Sequence, residues 1–156
     1  MKILIAIILC VELLSACKSD HNNETTTIAP RGESILKATI RDTNFTFNKI
    51  FVERVKFSKS KNAYTDLIVM AGILNAADQK IEFQLEHLQV GSETLYFFSR
   101  IDNQTVYDND QQKSDFKMDV AVNEKNHIKG TFGGILYDKK NADTLSIENG
   151  SFDIYF

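Results

Sequence analysis

The sequence contains few of the residue types on which catalytic and metal sites depend. It has two cysteines, three histidines, one proline and no tryptophan. Its formal net charge of −3 gives no basic excess with which to bind nucleic-acid phosphates, so we expect no nucleic-acid partner. Hydrophobic residues make up 43% and charged residues 25%, which is the balance of a folded globular protein. These absences leave few routes to an enzyme.

The amino-terminal segment differs from the rest of the chain. Lys2 is followed by the apolar run ILIAIILCVELL. That run is shorter than the roughly 20 residues that cross a bilayer, and it has the length and position of a signal-peptide core. Leu14-Ser15-Ala16-Cys17 then resembles the bacterial lipobox at all four positions. We predict a lipoprotein signal peptide over residues 1–16 and lipid attachment to Cys17.

The lipobox determines the expected location of the protein and the chemistry of its cysteines. Cys10 leaves with the signal peptide, so the body has no cysteine for a disulfide, a catalytic thiol or a thiolate metal site. Acyl chains, at roughly 0.8 kcal/mol per buried methylene, hold a protein stably in a membrane. Lys18 rather than aspartate follows Cys17, and by analogy with enterobacterial sorting we expect the outer membrane. The domain could face the periplasm or the cell surface.

The segment that follows Cys17 is polar. Ile28 is the only large apolar residue between positions 18 and 34, and Pro30 is the only proline of the chain. No hydrophobic period is present. We predict a flexible tether over residues 17–34 and a single all-β domain over residues 35–156.

Alternation of apolar and polar residues predicts strands throughout the body. Phe116, Met118, Val120 and Val122 fall on one face of an alternating run. The alternation of residues 81–90 slips by one residue near Glu86-His87, which predicts a β-bulge there. We expect eight to ten strands in an antiparallel sandwich or barrel.

Asn149-Gly150 lies between two alternating runs near the end of the chain. This dipeptide is the strongest short signal for a two-residue hairpin, because both residues of a type I′ turn need positive φ. The predicted register places Ile147 opposite Phe152 and Leu145 opposite Ile154, all on one face.

No group of residues predicts a catalytic site, a metal site or a cofactor. His87 and His127 are the only histidines of the body, and neither has a metal-ligand spacing. We place His127 in a tight turn between two strands. Glu82 and Glu86 share a strand face, which is the ordinary exposed side of a sheet. Residues 108–119 resemble a calcium loop, but Lys113 stands where the loop needs glycine.

Both ends of the body resemble the small all-β lipoproteins of unknown function from Bacteroidota. The shared motifs are an opening A-x-I-x-x-x-x-F, a late I-x-G-T-F strand and a closing E-N-G-x-F hairpin. The resemblance implies an all-β fold and no particular activity. The residues that carry it are Ala38, Ile40, Phe45, Ile128, Gly130, Thr131, Phe132, Asn149, Gly150 and Phe152.

These features favour a lipid-anchored cell-envelope lipoprotein that is not an enzyme and binds a protein, glycan or small ligand. One alternative is a periplasmic immunity or inhibitor protein, which would use residues 107–115 as an acidic loop. Another is a lipocalin-like carrier, which the eleven phenylalanines favour. An enzyme would need a polar cleft that brings His87 or His127 against acids distant in sequence.

Overall fold

The structure, a computed structural model, describes residues 23–57, 64–74, 76–110, 115–138, 140 and 142–156. The predicted signal peptide and Cys17 lie outside these residues. The described residues form eleven strands and no helix. The strands are β1 Asn23–Ile28, β2 Ile35–Ile40, β3 Thr43–Phe47, β4 Lys49–Phe57, β5 Tyr64–Ile73, β6 Ala76–Glu86, β7 Leu95–Asp102, β8 Thr105–Asp108, β9 Phe116–Glu124, β10 His127–Asp138 and β11 Asp143–Tyr155.

The strands form one open antiparallel sheet that folds back over itself. The order is β1-β4-β5-β6-β7-β8-β10-β11-β2-β3, and β9 pairs with β10. Aromatic rings join the two halves: the Phe83 ring centroid lies 5.3 Å from that of Phe152, and Phe98 lies 5.0 Å from Phe132. The prediction of an antiparallel all-β sandwich or barrel is confirmed, and the described part of the body, residues 35–156, has ten strands, β2 to β11, within the expected eight to ten.

The first strand corrects the predicted tether. Residues 23–28 pair with β4 from Asn23↔Phe57 to Ile28↔Val52, so the flexible tether expected over residues 17–34 is wrong across this strand. Further along, the backbone N–H of Arg31 donates to the carbonyl of Tyr155 at 2.7 Å. The sequence showed no strand pattern here because β1 is an edge strand whose residues Glu24 to Thr27 are exposed.

The alternation predicted in β9 is present. Met118 and Val120 are buried and Phe116 is half-buried, whereas Lys117 and Asp119 are exposed. The phase changes at Val122, opposite a register shift between Lys129 and Gly130 of β10. The predicted turn between β9 and β10 is present, but His127 is the first residue of β10 and not part of that turn, so its predicted place is wrong by one residue.

The predicted closing hairpin at Asn149-Gly150 is wrong, because β11 continues through these residues. Gly150 pairs with Phe132, and the ladder between β11 and β2 shifts register between Glu148 and Ser151. Asn149 has a φ of 50°, and a β-bulge uses such a residue as readily as a turn does. The predicted common face is nevertheless correct, since the structure buries Leu145, Ile147, Phe152 and Ile154.

The bulge predicted at Glu86-His87 is also wrong. Strand β6 ends at Glu86, and Leu88 in the following turn has a φ of 67°. Leu88 and Val90, which resumed the apolar alternation in the sequence, are exposed. The register shift in this strand lies between Gln84 and Leu85 instead, where β6 pairs with β7.

Candidate functional site

A pocket of about 450 Å³ lies on the outer face of the sheet formed by β4 to β7. The outward direction follows from strand alternation, because the neighbouring residues Leu67 and Leu85 are fully buried in the core. The lining combines carboxylates, an amide and aromatic rings, in the residues Phe57, Tyr64, Asp66, Gln84, Glu86 and Tyr96.

Asp66 of β5 is the buried acid of this pocket. It pairs across the strands with Glu86 of β6 and is only 2% exposed. The Gln84 Nε2 donates a hydrogen bond to Asp66 Oδ2 at 2.7 Å, whereas Oδ1 is buried and accepts none from the described residues. Burial raises the pKa of Asp66, the Gln84 hydrogen bond opposes that shift, and the charge of Glu86 adds to it.

Tyr96 of β7 closes another side of the pocket. Its hydroxyl donates to Glu86 Oε2 at 3.0 Å. The pKa of Tyr96 is raised to about 12. Burial is the largest cause, and the hydrogen bond to Glu86 and the charge of Glu86 add to it. The surroundings of this hydroxyl therefore disfavour a further negative charge.

An aromatic pair borders the carboxylates. Phe57 and Tyr64 are directly opposite each other on β4 and β5, with ring centroids 4.8 Å apart and planes 19° apart. Tyr64 remains 41% exposed and Tyr96 39% exposed. A ligand in the pocket can therefore contact aromatic faces as well as acidic oxygens.

Sequence reasoning considered Glu86 but missed its partner. Glu82 and Glu86 do share a strand face, but Glu82 pairs with Met70, and the acid opposite Glu86 is Asp66. That neighbourhood depends on the register between β5 and β6, which the apolar pattern of β5 alone does not specify. Asp66 and Gln84 had no signal of their own in the sequence.

The histidines lie elsewhere. His127 Nε2 lies 2.8 Å from Asp153 Oδ1, and its ring stacks on Tyr155 at a centroid distance of 4.1 Å. Burial, with the charge of Arg54, lowers the pKa of His87. Within the described ranges, no three or more His, Cys, Asp or Glu residues are grouped so as to hold a metal ion.

The acidic segment 107–115 is only partly described, since residues 111–114 lie outside the structure's described ranges. Its first residue does not belong to a protruding loop. Tyr107 is a buried residue of β8, and its hydroxyl donates to Asp143 Oδ2 at 2.9 Å. Arg41 Nη2 in turn donates to the Tyr107 oxygen at 3.1 Å.

The fold and the pocket together define an all-β domain with a carboxylate and aromatic site on its outer sheet face. Comparison of the chain with protein-family models, curated proteins and solved structures found no match. Across the part of the chain that the structure describes, no helix has the length and apolar character to cross a membrane.

Proposed function

We propose that the chain is a lipid-anchored lipoprotein of the bacterial cell envelope, similar to those of Bacteroidota, whose β-domain binds a ligand without converting it. The observation that carries the binding function is the pocket around Asp66, where a buried carboxylate and exposed aromatic rings meet in one concave site. The lipobox at Leu14 to Cys17 supports the anchor.

The short distance in sequence between anchor and domain supports a position close to the membrane. Only residues 18–22 separate Cys17 from the first residue of β1. A fully extended chain spans at most about 3.6 Å per residue. The amino-terminal end of β1 therefore stays within about 20 Å of the lipidated residue, at the outer membrane in this proposal.

The packing of the interior favours an outer-face binding site over the carrier alternative. A carrier of a hydrophobic ligand needs an apolar cavity between its sheet layers. Here Phe83, Phe98, Phe132 and Phe152 pack against each other across that space, with centroid distances from 5.0 to 6.4 Å. The proposed ligand therefore binds at the surface pocket.

Metabolic labelling with an alkyne fatty acid in a bacterial host tests the anchor. We expect the native protein to be labelled, and the Cys17→Ala variant to carry no label. Cys10→Ala is the matched control, because it removes the other cysteine of the chain and leaves the lipobox intact. Label on the Cys17→Ala protein, or its loss in Cys10→Ala alone, contradicts the proposal.

Protease digestion of intact and permeabilised cells then assigns the face of the membrane. Digestion in intact cells places the pocket toward the medium, whereas digestion only after permeabilisation places it in the periplasm. A protein that stays in the soluble fraction in both preparations contradicts the proposed anchor.

A further inference from the structure

We infer that the pocket lined by Asp66, Glu86, Tyr64 and Tyr96 binds an organic ammonium group, either of a free amine or of a lysine side chain. The inference rests on the proposed binding function and names the chemistry of its ligand.

The first argument is a negative charge that no cation among the described residues pairs with. Asp66 and Glu86 are cross-strand neighbours, and the ion pairs among the described residues involve other acids. A buried carboxylate without a counterion costs free energy, and a bound cation removes that cost. The raised pKa of Asp66, due first to its burial, is a consequence of the same desolvation.

The second argument is the unused acceptor. Asp66 Oδ1 has no hydrogen-bond donor among the described residues, although the side chain is almost fully buried and lines the pocket. An ammonium group carries three donors and no acceptor. It can donate to Asp66, after rotation of the carboxyl group about its soft χ2 torsion, and to Glu86.

The third argument is the aromatic wall. Cations bind over the faces of tyrosine and phenylalanine rings, with about 0.5–2 kcal/mol of stabilisation. The exposed rings of Tyr64 and Tyr96 border the two acids. Aromatic rings also stack on neutral sugars, but a sugar leaves the paired negative charges uncompensated. Two acids beside exposed aromatic rings therefore favour a ligand that joins a cation to an alkyl chain.

Binding is tested on the full-length lipoprotein in detergent with n-butylammonium as the probe. The chain has no tryptophan, so tyrosine emission can report the titration. We expect saturable binding of n-butylammonium and at least tenfold weaker binding of n-butanol, its uncharged analogue. Nα-acetyl-lysine amide serves as the lysine arm. Tighter binding of this compound than of butylammonium indicates a protein partner, and the reverse indicates a free amine.

Variants locate the site. Glu86→Gln should weaken butylammonium binding about tenfold, whereas Glu82→Gln, on the same strand and face but outside the pocket, should leave it unchanged. Circular dichroism confirms that both variants fold. Lys59 and Lys61 follow β4 in the sequence, so the titration is repeated with the K59A/K61A double variant to remove competition from the chain's own amines.

Several results overturn the inference. These are absence of butylammonium binding in both the native chain and K59A/K61A, equal binding of butanol, equal loss in Glu82→Gln and Glu86→Gln, or binding of a neutral disaccharide alone. Failure of the anchor is seen separately, because fatty-acid labelling does not depend on the pocket. A labelled protein that binds no ammonium probe retains the proposed location and loses this ligand.

Discussion

The ring of Phe152 lies over Gly130 of the neighbouring strand. The two residues are register partners in β10 and β11, and a Cβ atom built on Gly130 would lie 2.6 Å from Phe152 Cζ. Phe132 and Gly150 repeat the arrangement with the strands exchanged, at 2.5 Å from Phe132 Cδ2. The two glycines thus provide the space in which both rings reach the opposite half of the sheet.

We expect Gly130→Ala to lower the free energy of unfolding by about 1–3 kcal/mol, because overpacking a filled core costs that much. Its Cβ would also lie 2.3 Å from the Asp119 carbonyl oxygen, which is backbone and cannot rotate away. Urea denaturation followed by circular dichroism measures the loss.

Gly72→Ala is the matched control. A Cβ at Gly72 would meet its nearest atoms at 3.9 and 4.0 Å, which is ordinary contact. We expect stability within about 1 kcal/mol of the native protein, since such replacements mainly restrict the unfolded chain. Equal losses at both glycines would contradict the close approach at Gly130.

Asn149 supplies the left-handed backbone at which β11 shifts its register. With a φ of 50°, it occupies a conformation that costs most L-residues about 1–2 kcal/mol. We therefore expect Asn149→Ala to lose about 1 kcal/mol and Asn149→Gly to remain within a few tenths of the native value. Chemical denaturation of the two variants under identical conditions measures the difference. A larger loss in the glycine variant would contradict the role of φ.

The example of β11 shows how far the sequence could predict the fold. A strand with one buried face has apolar residues at every second position, as at Met118 and Val120 or at Leu145 and Ile147. The faces predicted from this alternation are correct. Asn149-Gly150 reports a need for positive φ, but that need is common to turns and bulges. The pattern alone therefore identified the face and not the path of the chain.

Edge strands and cross-strand residue pairs give weaker patterns in the sequence. Strand β1 pairs with β4 through its backbone, while the side chains of Glu24 to Thr27 stay polar and exposed, so no apolar period marks it. The pairing of Asp66 with Glu86 depends on the register of two strands rather than on either sequence. The candidate site therefore became visible only in the structure.

Arg100 carries a positive charge into the core. It is 1% exposed, its Nη1 donates to the carbonyls of Lys80 and Ile101 at 3.2 and 2.7 Å, and its Nε has no partner among the described residues. The only described carboxylate paired with it is that of Asp102, at 3.9 Å. Burial lowers the pKa of Arg100, and Asp102 opposes the shift.

We expect Arg100→Met to lose less stability than Arg100→Ala, because the methionine side chain fills most of the space that the arginine occupies. Arg100→Ala should lose about 2–5 kcal/mol through the cavity it leaves. Thermal and urea unfolding distinguish the two. A loss in Arg100→Met as large as that in Arg100→Ala would show that the charge itself stabilises the fold.

Asp66 makes stability depend on pH in a direction opposite to that of most acids. Its pKa is raised above the ordinary value of 3.8, so the native state holds the proton more tightly than the unfolded chain does. The stabilisation is complete below pH 3.8 and is lost as the pH rises through the native pKa. An asparagine side chain does not titrate, so Asp66→Asn should gain stability relative to the native protein across that window.

Asp153 provides the contrast of opposite sign. The hydrogen bond from Lys129 lowers its pKa, burial opposes this, and His127 adds to the lowering. Its contribution is therefore present above pH 3.8 and lost as the pH falls through the native pKa, so Asp153→Asn should be destabilised at neutral pH and approach the native stability in acid. Urea denaturation measures the stability of both variants and of the native protein at several pH values from about 3 to 7. This range spans ordinary carboxyl pKa values. Parallel pH profiles for the two variants would contradict both assignments, because burial without a cation and pairing with one must shift a carboxyl pKa in opposite directions.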